Sequence, residues 1–347
     1  MSAAPPRDEP PAPDRRVGRP RRPRTRGGWA TAVATLAAAL VAVPWVARRG
    51  VGSLAGVEQT GAGGAIAAQF DQDAADRLEH TGGGAVSVGG TPGSARAAGR
   101  HLGFDTHTFP GVNALRTWKA SGAPYEWVGY YLPAPCHRDR SWSGRRLLLD
   151  SLGFGTAVIY VGQQTWNRVP HPASRGARLA ERRGIVCDAD YVSGARGAAE
   201  GDDAVRVAAA EGFPRGTIIF LDVERMERMP ALMRDYYRRW AERVLADGRF
   251  RPGVYVHAHN APSVHDDLAA VYAASGLAIE PPVWVASGRG FSPDKFPGEV
   301  GQAFAGVWQG VLDVVESHGG VRLPIDVNVA SVPDPSARYS SGGGAGE

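Results

Sequence analysis

Short apolar runs in this chain end repeatedly on side chains able to move protons or grip polar ligands: Asp105, the pair Asp222 and Glu224, His257 and His259, Gln309, and Asp326 with Asn328. A carboxylate inside a fold is costly unless it is paired or put to use. The sharpest pattern is Phe220-Leu221-Asp222-Val223-Glu224. Side chains two apart on a strand share a face, which would bring both carboxyls into one pocket. Like charges held close raise the pKa of one of them. The result is a protonated acid beside an ionised carboxylate, the pair that glycosidic bond cleavage needs. Flat rings in or just after the same runs, Tyr130, Tyr131, Trp142, Trp166, Tyr255, Trp284 and Trp308, suit the apolar faces of sugars. The candidate catalytic set is Glu224, Asp222, Asp105 and Asp326. The candidate substrate-binding set is Tyr131, Tyr255, His257, Trp284, Trp308, Gln309 and Asn328.

Two other chemistries use the same residues. Carboxylates can hydrogen-bond sugar hydroxyls without cutting anything, so a non-catalytic glycan-binding or wall-remodelling protein is the alternative to a hydrolase. Asp105-x-His107 and His257-x-His259 each offer two metal ligands on one strand face. Only one of these pairs is His-x-His, which leaves a metal-dependent hydrolase third and no metal site assigned. No Gly-x-Ser-x-Gly elbow marks a serine nucleophile, and no cofactor is implied.

The elements that must position these groups read as strands alternating with amphipathic stretches, the pattern of βα units. The strand-like runs are 101–105, 127–131, 157–161, 217–222, 253–257, 282–286, 306–309 and 323–327. Ala231 to Asp247 is the best helix, with Leu232, Met233, Tyr236, Trp240, Val244 and Leu245 at helical spacing and Gly248 as its stop. Val264 to Leu277 and Asp203 to Gly212 offer two more. Eight strands without a Gly-rich nucleotide turn after the first favour an α/β fold of the (β/α)8 TIM-barrel type over an open doubly wound sheet. The last two connections are too short for full helices, so the barrel should be modified, with irregular last βα units. Residues 163–200 form a long connection of the kind that shapes an active-site rim.

The net charge of +4 does not point to nucleic acid, because the first 28 residues hold eight Arg against three acidic residues and leave the remainder near neutral. Residues 1–28 read as a basic cytoplasmic tail. Trp29 to Ala47 carries no charge and as a helix would span about 28 Å. Arg is dense before it and sparse after it, which puts the barrel outside the membrane. This segment is a signal or transmembrane anchor, and the protein is extracytoplasmic, either membrane-anchored or secreted. Residues 48–100 have Gly/Ala-rich linker composition, 101–335 hold the barrel, and 336–347 form a tail. In an oxidising compartment Cys136 and Cys187 can form a disulfide.

The runs Gly103-Phe-Asp-Thr-His-Thr-Phe-Pro110, Glu126-Trp-Val-Gly-Tyr-Tyr-Leu-Pro133, Phe220-Leu-Asp-Val-Glu224 and Ile325-Asp-Val-Asn328 resemble the glycoside-hydrolase-like domain of exported actinobacterial proteins. More distantly the chain is similar to the family 25 glycoside hydrolases, lysozyme-like muramidases on a modified barrel. The resemblance implies that Glu224 is the general acid. Asp222 would stabilise the oxocarbenium-like state or orient the substrate's N-acetyl group, with Asp105 and Asp326 in support. It also implies an envelope polysaccharide as partner, peptidoglycan first. Where that family carries an aromatic after the Trp-Gln pair, this chain has Gly310.

Overall fold

The computed structural model describes residues 99–182 and 186–337. Eight strands close into one barrel in sequence order: β1 (His101–Asp105), β2 (Trp127–Tyr131), β3 (Gly155–Tyr160), β4 (Ile218–Val223), β5 (Arg251–His257), β6 (Val283–Ala286), β7 (Ala305–His318) and β8 (Val321–Ala330). β2 and β4 are buried at every position, as expected of strands covered on both faces. Six helices accompany them: α1 (Val112–Ala120), α2 (Arg146–Ser151), α3 (Arg175–Arg182), α4 (Gly194–Ala210), α5 (Ala231–Asp247) and α6 (Ala261–Ala274).

α5 has the bounds its apolar stripe predicts, and it buries Met233, Tyr236, Trp240 and Val244. α4 begins well before the expected stretch at Asp203. Ser193 caps it by accepting from Arg196 N at 3.2 Å, and its first turns are Gly and Ala, which leave no apolar stripe to read. α6 is displaced towards its N-terminus, with Pro262 in its first turn.

The modification of the barrel lies in its last strand. β8 runs antiparallel to both β7 and β1. The cause is local: only Gly319 and Gly320 separate β7 from β8. Both have positive φ, 58° and 80°, the conformation of a two-residue hairpin. A parallel return needs a crossover of a dozen residues or more. The hairpin extends past the barrel, and its end packs outside it. Trp118 Nε1 on α1 donates to Val321 O (3.0 Å), and Tyr125 Oη donates to Glu316 (2.7 Å).

Inside the barrel, Trp127, Phe220 and Trp284 from the even strands meet edge to face at 5.7 Å. They form the floor on which the site rests. Gly103 makes room for them: a Cβ there would lie 2.1 Å from the Trp127 ring. At the opposite end, the segment after β8 holds the starts of β3 and β4. Val158 N donates to Ser336 Oγ (2.8 Å) and Ile218 N to Ser336 O (2.9 Å), so the anchored chain runs through Ser336. No described helix is long and apolar enough to cross a membrane. The hydrophobic stretch Trp29 to Ala47, the basic segment and the linker lie outside the described residues, as does the tail beyond 337.

Candidate active site

One pocket at the C-terminal ends of the parallel strands is lined by Asp105, His107, Tyr131, Ile159, Asp222, Glu224, Tyr255, Trp284, Gln309 and Asp326. Asp105 ends β1. Gly129 on β2 lets it stand there, since a Cβ at that position would be 2.4 Å from the Asp105 Cβ. Asp222 lies in β4 and Glu224 follows it, so strand alternation turns both inward. Asp326 reaches the pocket from the middle of β8, because antiparallel pairing sets it directly opposite Asp105.

The four carboxylates fall into two kinds. Asp105 accepts from Tyr131 Oη (2.7 Å), Asn328 Nδ2 (2.9 Å) and Gln309 Nε2 (3.0 Å). Asp326 accepts from Gln309 Nε2 (3.3 Å) and from the backbone N of Asp313 (2.7 Å). That backbone is turned by a left-handed conformation at Asp313, φ 50°, at the irregular register of β7. Gln309 bridges the two acids and is oriented by Tyr255 Oη, which donates to its Oε1 at 2.6 Å. By contrast, no side chain donates to Asp222 or Glu224 among the described residues: Asp222 Oδ1 is buried without a partner there, and Glu224 is met by the backbone of Arg225. What fixes this pair is the backbone. Gln164, after β3, donates to Asp222 O (2.9 Å) and accepts from Glu224 N (3.2 Å).

Burial is the largest cause of the pocket's titration behaviour. It pushes Glu224 up to about 7. It raises Asp222 well above the usual carboxylate range, with the charges of Glu224 and Asp105 adding to the effect, and Asp326 likewise, with Asp105 adding. Asp105 is raised less freely, since the bonds from Tyr131, Asn328 and Gln309 favour its charged form. The pattern predicts a proton retained by the Asp222–Glu224 pair; desolvation, more than like-charge repulsion, keeps it there. The pocket has about 30 Å³ of room. This admits water but cannot enclose a sugar ring, so a glycan would lie across its mouth.

Of the residues chosen from sequence for binding, Tyr131, Tyr255, Trp284 and Gln309 line the pocket, and three do not. Trp308 points out of the barrel because its neighbour Gln309 points in; its Nε1 donates to Ser287 O at 2.7 Å and its ring is fully buried against Phe291. Phe291 also fills the space over Gly310, where a Cβ would meet its ring at 1.8 Å. Asn328 is fully buried and spends its amide on Asp105 and on Trp284 Nε1, 3.2 Å away. It sits two pairs deeper than Asp326, opposite Gly103, because the strand's direction is reversed. His257 accepts from His259 N at 3.1 Å, and neither lines the pocket. Among the described residues no three His, Cys, Asp or Glu are grouped to hold a metal ion.

Sequence reading passed over Gln164, although the polar run Gln163-Gln164-Thr165 directly after an apolar strand was a usable signal. Nothing in the residue order signals the Asp313 amide, and His107 reads there only as a metal ligand. His107 stands in the pocket wall beside the Tyr131 ring, centroids 5.2 Å apart, and His137 packs on the same tyrosine at 4.8 Å. Cys136 and Cys187 form a disulfide, which ties the loop after β2 to the long connection after β3.

A closed barrel with an antiparallel last strand and a strand-borne carboxylate pocket defines a glycoside-hydrolase-like domain. The chain belongs to the Rv2525c-like, glycoside hydrolase-like domain family, whose model matches residues 116–330. No curated protein matches it. Among solved structures it is similar to an uncharacterised B. stearothermophilus protein (16% identity, 66% of this chain and 95% of that one, TM-score 0.45). It is also similar to the Mycobacterium tuberculosis Tat-secreted protein Rv2525c (18%, 67% and 94%, 0.37). A third is GHIP, a glycosyl hydrolase 25 of Streptococcus pneumoniae (12%, 76% and 92%, 0.41). At such identities the likeness is one of fold.

Proposed function

We propose that the protein hydrolyses glycosidic bonds of a cell-envelope polysaccharide outside the cytoplasm, with peptidoglycan the first choice. The observation that carries this reading is the division of the four carboxylates into two held by side-chain donors, Asp105 and Asp326, and two that no side chain holds among the described residues. Glu224, protonated near neutral pH, serves as general acid to the leaving oxygen. Asp222, with its unpartnered oxygen, faces the positive charge that develops on the sugar or orients a substituent of it. Asp105 and Asp326 hold the pocket's shape through Gln309. The disulfide, of a kind that persists in oxidising compartments, and the uncharged stretch Trp29 to Ala47 support export, as a membrane-anchored or secreted protein.

The second reading, glycan binding without turnover, is favoured by one observation. Asp222, Glu224 and Asp326 are all raised, which weakens the case for an ionised partner to the acid. Incubation with peptidoglycan, scored for new reducing ends and for co-sedimentation, separates the two. Hydrolysis predicts sugar release that Glu224→Gln abolishes with the melting temperature preserved. Release by the variant at the original rate would refute the assignment, and sedimentation without release would favour binding.

A further inference from the structure

A second hollow, of about 320 Å³, lies on the long connection after β3, between α3 and the first turn of α4. Arg178 of α3 and Arg196 of α4 line it, with Asp190 and Tyr191 between them. Among the described residues that line it, its charge is unbalanced. Asp190 is buried and already committed, accepting from His171 N (3.1 Å) and Ser174 Oγ (3.0 Å). Glu200 lies 4.0 Å from Arg196 Nε, beyond hydrogen-bond reach, and its carboxyl is held instead by Gln163 and Tyr236. Burial also favours the neutral form of Glu200. The Arg196 guanidinium therefore makes no hydrogen bond among the described residues, and it is steadied over the Tyr191 ring at 5.1 Å. Among the described residues Arg178 gives one bond, from Nη1 to Ala173 O at 2.7 Å, which uses one of its five donors. Arg175 and Arg182, three before and four after Arg178, add charge to the same side of α3.

We propose that this hollow is a subsite for an anionic group, a carboxylate or a phosphodiester, on the glycan that occupies the carboxylate pocket; it rests on the reading of that pocket as a glycan site. Guanidinium forks match both anions, whereas a neutral sugar's hydroxyls accept from them without the gain of opposite charge. The two places share one framework. The connection that carries the hollow begins with Gln163 and Gln164; Gln164 holds the backbone of Asp222 and Glu224, and Gln163 Oε1 accepts from Asp188 N (3.0 Å), two residues before Asp190. A polymer engaging the pocket at this end of the barrel can present its substituents to the hollow.

The test measures binding of the full chain to three probes: a neutral chitooligosaccharide, an oligogalacturonate and a poly(glycerol phosphate). One or both anionic probes should bind about tenfold more tightly than the neutral one, the scale of one or two charge-assisted hydrogen bonds; the tighter of them names the source. High salt should erase the difference. So should Arg178→Ala with Arg196→Ala, while the Lys pair keeps part of it. Equal affinity for all three probes, or an Ala pair that loses neutral and anionic binding alike at an unchanged melting temperature, overturns the subsite. Binding is read without turnover, so a failure of hydrolysis leaves this result standing. Intact sugar release without anion preference removes the subsite alone.

Discussion

At Glu224 the chemistry is set by what is missing around it. No side chain donates to it among the described residues, and burial, opposed only by a bond from the Arg225 backbone, holds the proton up to about pH 7. As the acid form does the work, kcat/KM on a glycan should be level below about pH 7 and fall about tenfold per unit above it; a pH–rate profile of the pure chain checks this, and a profile still rising at pH 8 excludes Glu224 as the acid. The same shift predicts a stability trend. The folded protein keeps a proton that the unfolded chain, with a carboxyl pKa of about 4.3, has released. Stability from this group is thus complete below about pH 4.3 and lost as pH rises through about 7. Thermal melts should show the native chain losing more stability between pH 5 and 8 than Glu224→Gln does. Asp105 behaves differently because three donors surround it.

Among the elements, β2 and β8 decide whether those side chains can meet. Gly129→Ala adds a Cβ that would lie 2.4 Å from the Asp105 Cβ and 3.1 Å from Ile159 Cδ1, with the β1 backbone close behind. Overpacking of this kind costs about 1–3 kcal/mol. We expect a lower melting temperature and a loss of sugar release, because Asp105 would be pushed off Tyr131 and Asn328. A variant with native melting and native turnover would show that β1 and β2 can part at no cost. Strand direction matters as much as spacing. A parallel β8 would have carried Asp326 and Asn328 out to the barrel's rim together, whereas the Gly319-Gly320 hairpin reverses them, presenting Asp326 to the pocket and sinking Asn328 beneath it.

At the largest scale, the described residues form a barrel whose rim is stapled. Cys136 and Cys187 are 51 residues apart in sequence, and closing a loop of that length stabilises by up to about 4 kcal/mol in the chain-entropy account. Cys136→Ser with Cys187→Ser should lower the melting temperature markedly and loosen the rim, raising KM for a glycan more than it lowers kcat; an unchanged melting temperature would show that the rim is held by the barrel alone. How much of this was legible beforehand follows from the range of the forces involved. All eight strands, and the inward turn of Asp222 and Glu224, could be read from residue order because apolar runs and two-residue alternation are local. So could the amphipathic stripe of α5. Trp308 could not be placed, since a shift of one residue flips a side chain to the other face. Nor could the hydrogen-bond framework of the site: Gln164 meets Glu224 across 60 residues and Asn328 meets Asp105 across 223. The sequence by itself determined that Asp105, Asp222 and Glu224 stand at strand ends and that a barrel should hold them; Gln309 and Asp326 lie inside strands longer than their apolar runs. Closure of that barrel, with its last strand reversed, decided which carboxylates are held by side-chain donors and which are not, because hydrogen bonding and desolvation depend on neighbours that only the tertiary fold brings together.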